Sequence, residues 1–215
     1  MRKRWIYVDE TDLLPTVQAL SQELKVSPLV ARMLAQRGIR SALEAEEFLS
    51  PSPEQLHSPF LMPDMEKAVR RLERAVFGQE DIIVYGDYDV DGTTAVTLVH
   101  AFLRDLGVKS KCYVPDRHEE GAGLSEKSIR FAATNGYSLM IVLDTGIKAN
   151  EQVALAGRLG VDIIICDHHF PGDDIPEAYA ILDPKLPSST YPFRELSACA
   201  VGYKFLQAYA KRNGV

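Results

Sequence analysis

The sequence predicts an α/β protein: a mostly parallel, doubly wound sheet preceded by a small helical N-terminal region. Three observations predict it. Continuous apolar runs begin at Ile82 and occupy Leu139–Leu143 and Asp162–Cys166, lengths that suit strands buried on both faces. Stretches with helical apolar spacing separate them, as in sheets whose crossovers are helices. Finally, the chemistry-bearing residues follow directly after the runs, and parallel sheets bind ligands beyond the carboxyl ends of their strands.

Taken in order, the first 63 residues read as a helical extension and linker. Pro15–Leu24 and Ser27–Gln36 carry apolar residues at helical spacing, and Arg37-Gly38 supplies a stop for the second. Ser41-Ala-Leu-Glu44 has the pattern of a capping box and opens a short helix ending near Phe48-Leu49. Pro51, Pro53, Pro59 and Pro63 oppose regular structure, so this stretch reads as a linker or strap.

From Met65 to Phe77, the stripe Met65, Ala68, Val69, Leu72 and Val76 marks an amphipathic helix. Its Arg70, Arg71 and Arg74 lie mostly off the stripe and read as a solvated face. The first strand follows at Ile82. Thereafter a helix is expected over Thr93–Asp105, a strand over Ser110–Val114, a helix over Ser125–Thr134 and a strand over Leu139–Leu143. A helix over Glu151–Leu159, strands over Asp162–Cys166 and Tyr179–Leu182, and a helix over Ser197–Arg212 complete the series.

Composition excludes several classes. Apolar content of 46% and charged content of 25% are those of an ordinary globular protein, and a net charge of −6 disfavours a non-specific polyanion binder. Cys112, Cys166 and Cys199 are odd in number and widely spaced, which argues against a disulfide framework and for a reducing cytoplasm. Met1-Arg-Lys-Arg-Trp5 is basic, but no signal-peptide apolar core follows it. No run reaches the roughly 18 apolar residues of a membrane span.

Three strand ends carry the chemistry. The first delivers Asp87, Asp89 and Asp91 on alternate positions before Gly92; the Leu139–Leu143 run ends in Asp144-Thr-Gly146; the Asp162–Cys166 run ends in Asp167-His168-His169. Crowded carboxylates repel one another unless a cation neutralises them. Carboxylates with imidazole suit manganese, magnesium or zinc, and no cysteine cluster supports a structural zinc site. Two divalent ions need a bridging carboxylate, and Asp144, alone at its strand end, is the natural bridge. Each residue also has a plainer reading, since an Asp before a helix is commonly an N-cap; Asp91 and Asp144 are the residues to which that applies. An EF-hand loop starting at Asp87 is excluded, because Leu98 stands where a bidentate Glu is required. A haloacid-dehalogenase-like phosphatase motif at Asp89-Val-Asp91-Gly-Thr93 leaves Asp167-His168-His169 unexplained.

These residues resemble the DHH-family phosphoesterases, and within that superfamily its branch of single-stranded-DNA-specific 5′-to-3′ exonucleases. The resemblance extends to Arg37-Gly-Ile39, Phe48-Leu49, Arg117–Leu124, Asp183-Pro-Lys185 and Tyr191-Pro-Phe193. It implies a DHH domain over residues 64–215 and two-metal hydrolysis of phosphodiesters with manganese or magnesium, in DNA repair and recombination. It implies Asp89, Asp91, Asp144 and His168 as metal ligands, with Asp144 bridging and Asp87 a supporting or additional ligand. His169 would contact the scissile phosphate or assist proton transfer, and Arg117 would contact a substrate phosphate, with an ion pair to Asp116 or Glu120 as the competing reading. Lys109, Lys111 and Lys185 are further candidates to line a basic groove. Single-stranded DNA is the implied partner, with a single-strand-binding protein and a helicase beside it.

The chain departs from that pattern at Ala122, where an aromatic is usual, at Thr145, where a cysteine is usual, and at Ala198 and Ala200, near usual glycines. On the same resemblance, the chain is expected to be an N-terminal fragment that ends before a fourth metal motif and a substrate-gripping domain. It would then bind metal weakly and cleave poorly alone. Two other functions stay open: a DHH phosphodiesterase acting on short oligonucleotides, cyclic dinucleotides or pyrophosphate, and a non-enzymatic replication or repair scaffold.

Overall fold

In the computed structural model of the chain, which describes Arg4 and residues 11–215, five strands form one parallel sheet. They are β1 (Ile82–Gly86), β2 (Ser110–Tyr113), β3 (Leu139–Leu143), β4 (Asp162–Cys166) and β5 (Ala180–Leu182), in the order β2-β1-β3-β4-β5. The basic N-terminal segment falls outside the described residues except for Arg4. Alternation within each strand divides the core. Ile82, Val84, Leu139, Ile141, Leu143, Ile164 and Cys166 face α4 (Met65–Phe77), α5 (Val90–Asp105) and α8 (Ala198–Asn213). Ile83, Tyr85, Met140, Val142, Ile163 and Ile165 face α6 (Glu126–Thr134) and α7 (Asn150–Arg158). A central strand covered on both sides cannot alternate in polarity, which is why β1 and β3 are buried at every residue.

The chain divides into two compact units, Met1–Leu56 and His57–Val215. The first holds α1 (Leu14–Leu24), α2 (Pro28–Gln36) and α3 (Ala42–Leu49), packed around Val17, Leu20, Ala31, Leu34 and Ala45. Ser27 and Ser41 cap α2 and α3 by accepting from the backbone N–H groups of Val30 and Glu44. The Glu44 carboxylate accepts from the Arg40 N–H rather than that of Ser41, so the capping box is shifted by one residue. The proline-rich stretch is more ordered than its composition implies: Pro53–Gln55 and Pro59–Leu61 form single 3₁₀ turns, each beginning on a proline whose fixed φ suits a first helical position.

One expectation for α4 is overturned. Arg71 is 1% exposed, donating to Asp162 Oδ2 at 2.6 Å, Glu80 Oε2 at 2.7 Å and the Ser138 carbonyl at 3.2 Å. Arg74 joins from the surface through Asp162 at 2.6 Å. The helix thus ties itself to the amino-terminal edge of the sheet through a charged cluster, leaving the carboxyl edge for other chemistry. Arg70 behaves as the pattern indicated, pairing with Glu66 in solvent.

Candidate metal centre

Because β1, β3 and β4 are parallel neighbours, their carboxyl ends lie side by side, and the three acidic segments meet there. The turn after β1 is built on close backbone approach. A Cβ on Gly92 would lie 2.7 Å from the Asp87 nitrogen and 2.8 Å from its carbonyl carbon, so only glycine lets α5 fold back against the strand end. Asp89 is the N-cap of α5, accepting from the Gly92 N–H at 2.9 Å, and this cap starts the helix at Val90, before the Thr93 that apolar spacing indicates. Asp87 accepts from the Tyr88 N–H at 2.7 Å.

Asp91 lies in the first turn of α5 and reaches across to α8. Its two oxygens accept from the Ala198 and Cys199 N–H groups, both at 2.8 Å, so the carboxylate docks the amino end of the last helix. Asp144 stands at the end of β3 with φ +62°, a left-handed conformation that a non-glycine residue adopts at some cost and that Asp tolerates better than most. It is 3% exposed. Burial, with Asp89 and then Asp91 beside it, pushes its carboxyl up to about 8, while the Gly92 N–H and the Asp144 hydrogen bond hold Asp89 below the usual carboxylate range. The pair therefore retains a proton on Asp144 that a cation would displace.

The histidines complete the arrangement. His168 Nδ1 lies 3.1 Å from the Leu196 carbonyl, an acceptor that requires the proton on Nδ1. Its Nε2 faces the acids, 3.3 Å from Asp144 Oδ1 and 3.8 Å from Asp91 Oδ2. A histidine held by its second nitrogen on a backbone carbonyl is oriented as metal ligands are. His169 Nδ1 lies 2.7 Å from Asp167 Oδ1, which raises the imidazole pKa chiefly through that bond. Asp167 is fully buried and accepts also from the His168, His169 and Ile147 N–H groups, which hold it ionised.

One ligand atom from each of Asp144, His168 and His169 lies within 4.8 Å of the others. Carboxyl and imidazole donors at that spacing, the carboxyl kept protonated by burial and by its acidic neighbours until a cation displaces the proton, fit a divalent cation. Asp89 and Asp91 border this group, and Asp87 lines the adjoining cavity of about 390 Å³ with Asp144 and His169. Arg117 stands apart from that cavity, its guanidinium 5.1 Å from the centre of the Tyr88 ring. Neither competing ion pair forms: Glu120 accepts from Ser125, Tyr113 and the Asp116 N–H, and Asp116 accepts from the His118 and Glu119 N–H groups. Among the other basic candidates, Lys111 lies over Phe131, and Lys185 over Phe170 with Glu195 3.4 Å away.

Two contributors escape a reading by motif. Asp167 belongs to Asp-His-His, yet its work is to clamp His169 and the turn after β3, which a one-dimensional pattern does not distinguish from ligation. Asp183, at the end of β5, is fully buried, and burial pushes it up to about 7; only the neighbouring Pro184-Lys185 marked it.

Residues 81–215 match the DHH family, N-terminal domain. The chain is 41% identical over 192 residues to the single-stranded-DNA-specific exonuclease RecJ of Bacillus subtilis, covering 89% of this chain and 24% of that protein. To the RecJ of Escherichia coli it is 37% identical, over 94% of this chain and 33% of the relative. It therefore spans a quarter to a third of the length of these curated relatives. The crystal structure of RecJ in complex with Mn²⁺ from Thermus thermophilus superimposes with a TM-score of 0.74 at 25% identity, covering 94% of this chain and 28% of that one. A second crystal structure, of exonuclease RecJ bound to manganese, gives a TM-score of 0.66 at 27% identity over 72% of this chain and 39% of that one. With the family match running from the start of the sheet to Val215, the chain belongs to the DHH family.

Proposed function

We propose that residues 64–215 form the metal-binding part of a phosphodiester hydrolase that shortens single-stranded DNA from its 5′ end, with residues 1–63 as a helical extension. The observation that carries this reading is the meeting of Asp144, His168 and His169 within ligand distance of one another, bordered by Asp89 and Asp91. Likeness to RecJ proteins, named as single-stranded-DNA-specific exonucleases, supports the substrate. A single-strand-binding protein and a helicase are partners on the strength of family resemblance alone.

In this reading Asp89, Asp91, Asp144 and His168 would hold manganese or magnesium, with Asp144, the most buried of the four, central among them. When bound, the cations supply positive charge that polarises water and neutralises the phosphate. Asp91 does this while docking α8, so ligand position is tied to the last helix. His169, held by Asp167 with a raised pKa, stands on the cavity wall where, when protonated, it would donate to a phosphate oxygen or to the leaving oxygen. Asp87 faces the cavity and supports the ligand turn. Arg117, free of any carboxylate among the described residues and stacked on Tyr88, would contact a substrate phosphate.

The test is release of 5′ mononucleotides from single-stranded DNA by the protein at its full natural length, with manganese, beside the same measurement on a cyclic dinucleotide. DNA cleavage that Asp144→Ala abolishes is the expected result. Cleavage of the dinucleotide alone assigns the small-substrate reading, and an Asp144→Ala enzyme as active as wild type removes the cluster from catalysis.

A further inference from the structure

The cavity beside the acidic cluster has a second wall that the proposed chemistry leaves unused. Besides Asp87, Asp144 and His169, the turn after β3 and the first turn of α7 line it, with Lys148 and Gln152 among them. At about 390 Å³ it lies at the small end of the about 300–1,000 Å³ typical of ligand pockets, suited to a single nucleotide-sized group.

Lys148 is the one lysine or arginine lining this cavity among the described residues. It is exposed and forms no ion pair among the described residues, whereas Lys127 pairs with Glu119 at 2.8 Å, Lys185 with Glu195 at 3.4 Å, and Arg117 is stacked on Tyr88. Its ammonium is thus left uncommitted on the wall of a cavity that Asp87, Asp144 and Asp167 also line. With a cation neutralising those acids, the lysine would remain as a positive charge on that wall.

We propose that Lys148 binds a backbone phosphate of the nucleic-acid strand, holding in this cavity the nucleotide next to the bond to be cut. The assignment rests on reading the cluster as a phosphodiester site. Lysine serves here as a point charge on a flexible stem, which tolerates any base sequence. Gln152, one turn along the same wall, offers uncharged donors and acceptors to the sugar or base.

Salt dependence tests it. Binding of a short single-stranded oligothymidylate is measured over a range of salt, with calcium in place of manganese, for wild type, Lys148→Ala and Lys148→Arg. Loss of one phosphate contact makes the slope of log affinity against log salt shallower by about 0.7. Lys148→Ala is expected to show that change, with affinity several-fold weaker at low salt and converging on wild type at high salt, and Lys148→Arg to restore the slope. An unchanged slope in Lys148→Ala, or an arginine that fails to restore it, overturns the proposal. Hydrolysis of bis(p-nitrophenyl) phosphate by the wild-type protein in manganese reads the phosphodiesterase chemistry separately. Its failure counts against that chemistry and leaves the slope result to decide Lys148.

Discussion

Replacing Asp144 with Asn removes a crowded, titrating carboxyl while keeping its shape, and the consequence depends on pH. In the folded protein without metal this carboxyl is pushed up to about 8 by burial and by Asp89 and Asp91; in the unfolded chain it returns to an ordinary value near 4. Between those values the folded state holds one proton more than the unfolded state. A folded pKa raised in this way means that stability falls as pH rises through the window, by at most about 1.4 kcal/mol per pH unit. From about pH 5.5 to about pH 7.5 the ceiling is about 3 kcal/mol, and solvent entering from the adjoining cavity reduces it to about 1–2 kcal/mol. Asp144→Asn carries no such proton and loses less over the same interval; the contribution from Asp183, which Asp144 does not shift, is common to both proteins and cancels in the difference. The assay is urea unfolding in EDTA at both pH values, repeated with manganese. Manganese at the higher pH is expected to raise the wild-type midpoint, because the cation takes the place of the proton, and to leave the variant unmoved. Equal pH dependence of the two proteins in EDTA would refute the crowding argument, and equal manganese stabilisation would refute ligation by Asp144.

Two further outcomes follow from packing. Gly92→Ala drives a methyl group into the Asp87 backbone, an overpacking expected to cost about 1–3 kcal/mol and to weaken manganese stabilisation as the ligand turn moves. Gly202→Ala, whose Cβ meets only the Leu143 and Val99 side chains at 3.3 and 3.6 Å, is the milder comparison, and equal losses in urea unfolding would remove the backbone contact as the cause. Arg71→Met leaves Glu80 and Asp162 at a buried edge with only Arg74, itself half exposed, to neutralise them. A loss approaching the about 3–5 kcal/mol of a broken buried pair is expected in thermal unfolding; a loss under about 1 kcal/mol would mean that Arg74 alone suffices.

By itself the sequence determined the strands and the edge where chemistry gathers. Ile82–Val84, Leu139–Leu143 and Ile163–Ile165 are apolar at every position, which only a doubly covered parallel sheet accommodates, and parallel strands necessarily present their carboxyl ends together. Asp87, Asp89, Asp91, Asp144, His168 and His169 were legible for that reason: each follows one of these runs directly. The helix stripe of α4 was equally legible, but Arg71 was not, because periodicity describes one element's own faces and Arg71 is buried by Glu80, Asp162 and Ser138 arriving from elsewhere. The same limit covers Asp91, whose partners on α8 lie more than a hundred residues away, and Asp167, whose grip on His169 and Ile147 depends on β4 lying beside β3. The tertiary structure alone decided how the acids are distributed. Asp89 caps, Asp91 docks, and Asp144 holds a proton in a left-handed turn, because these roles depend on which backbone donors and charges come within reach once the chain has folded.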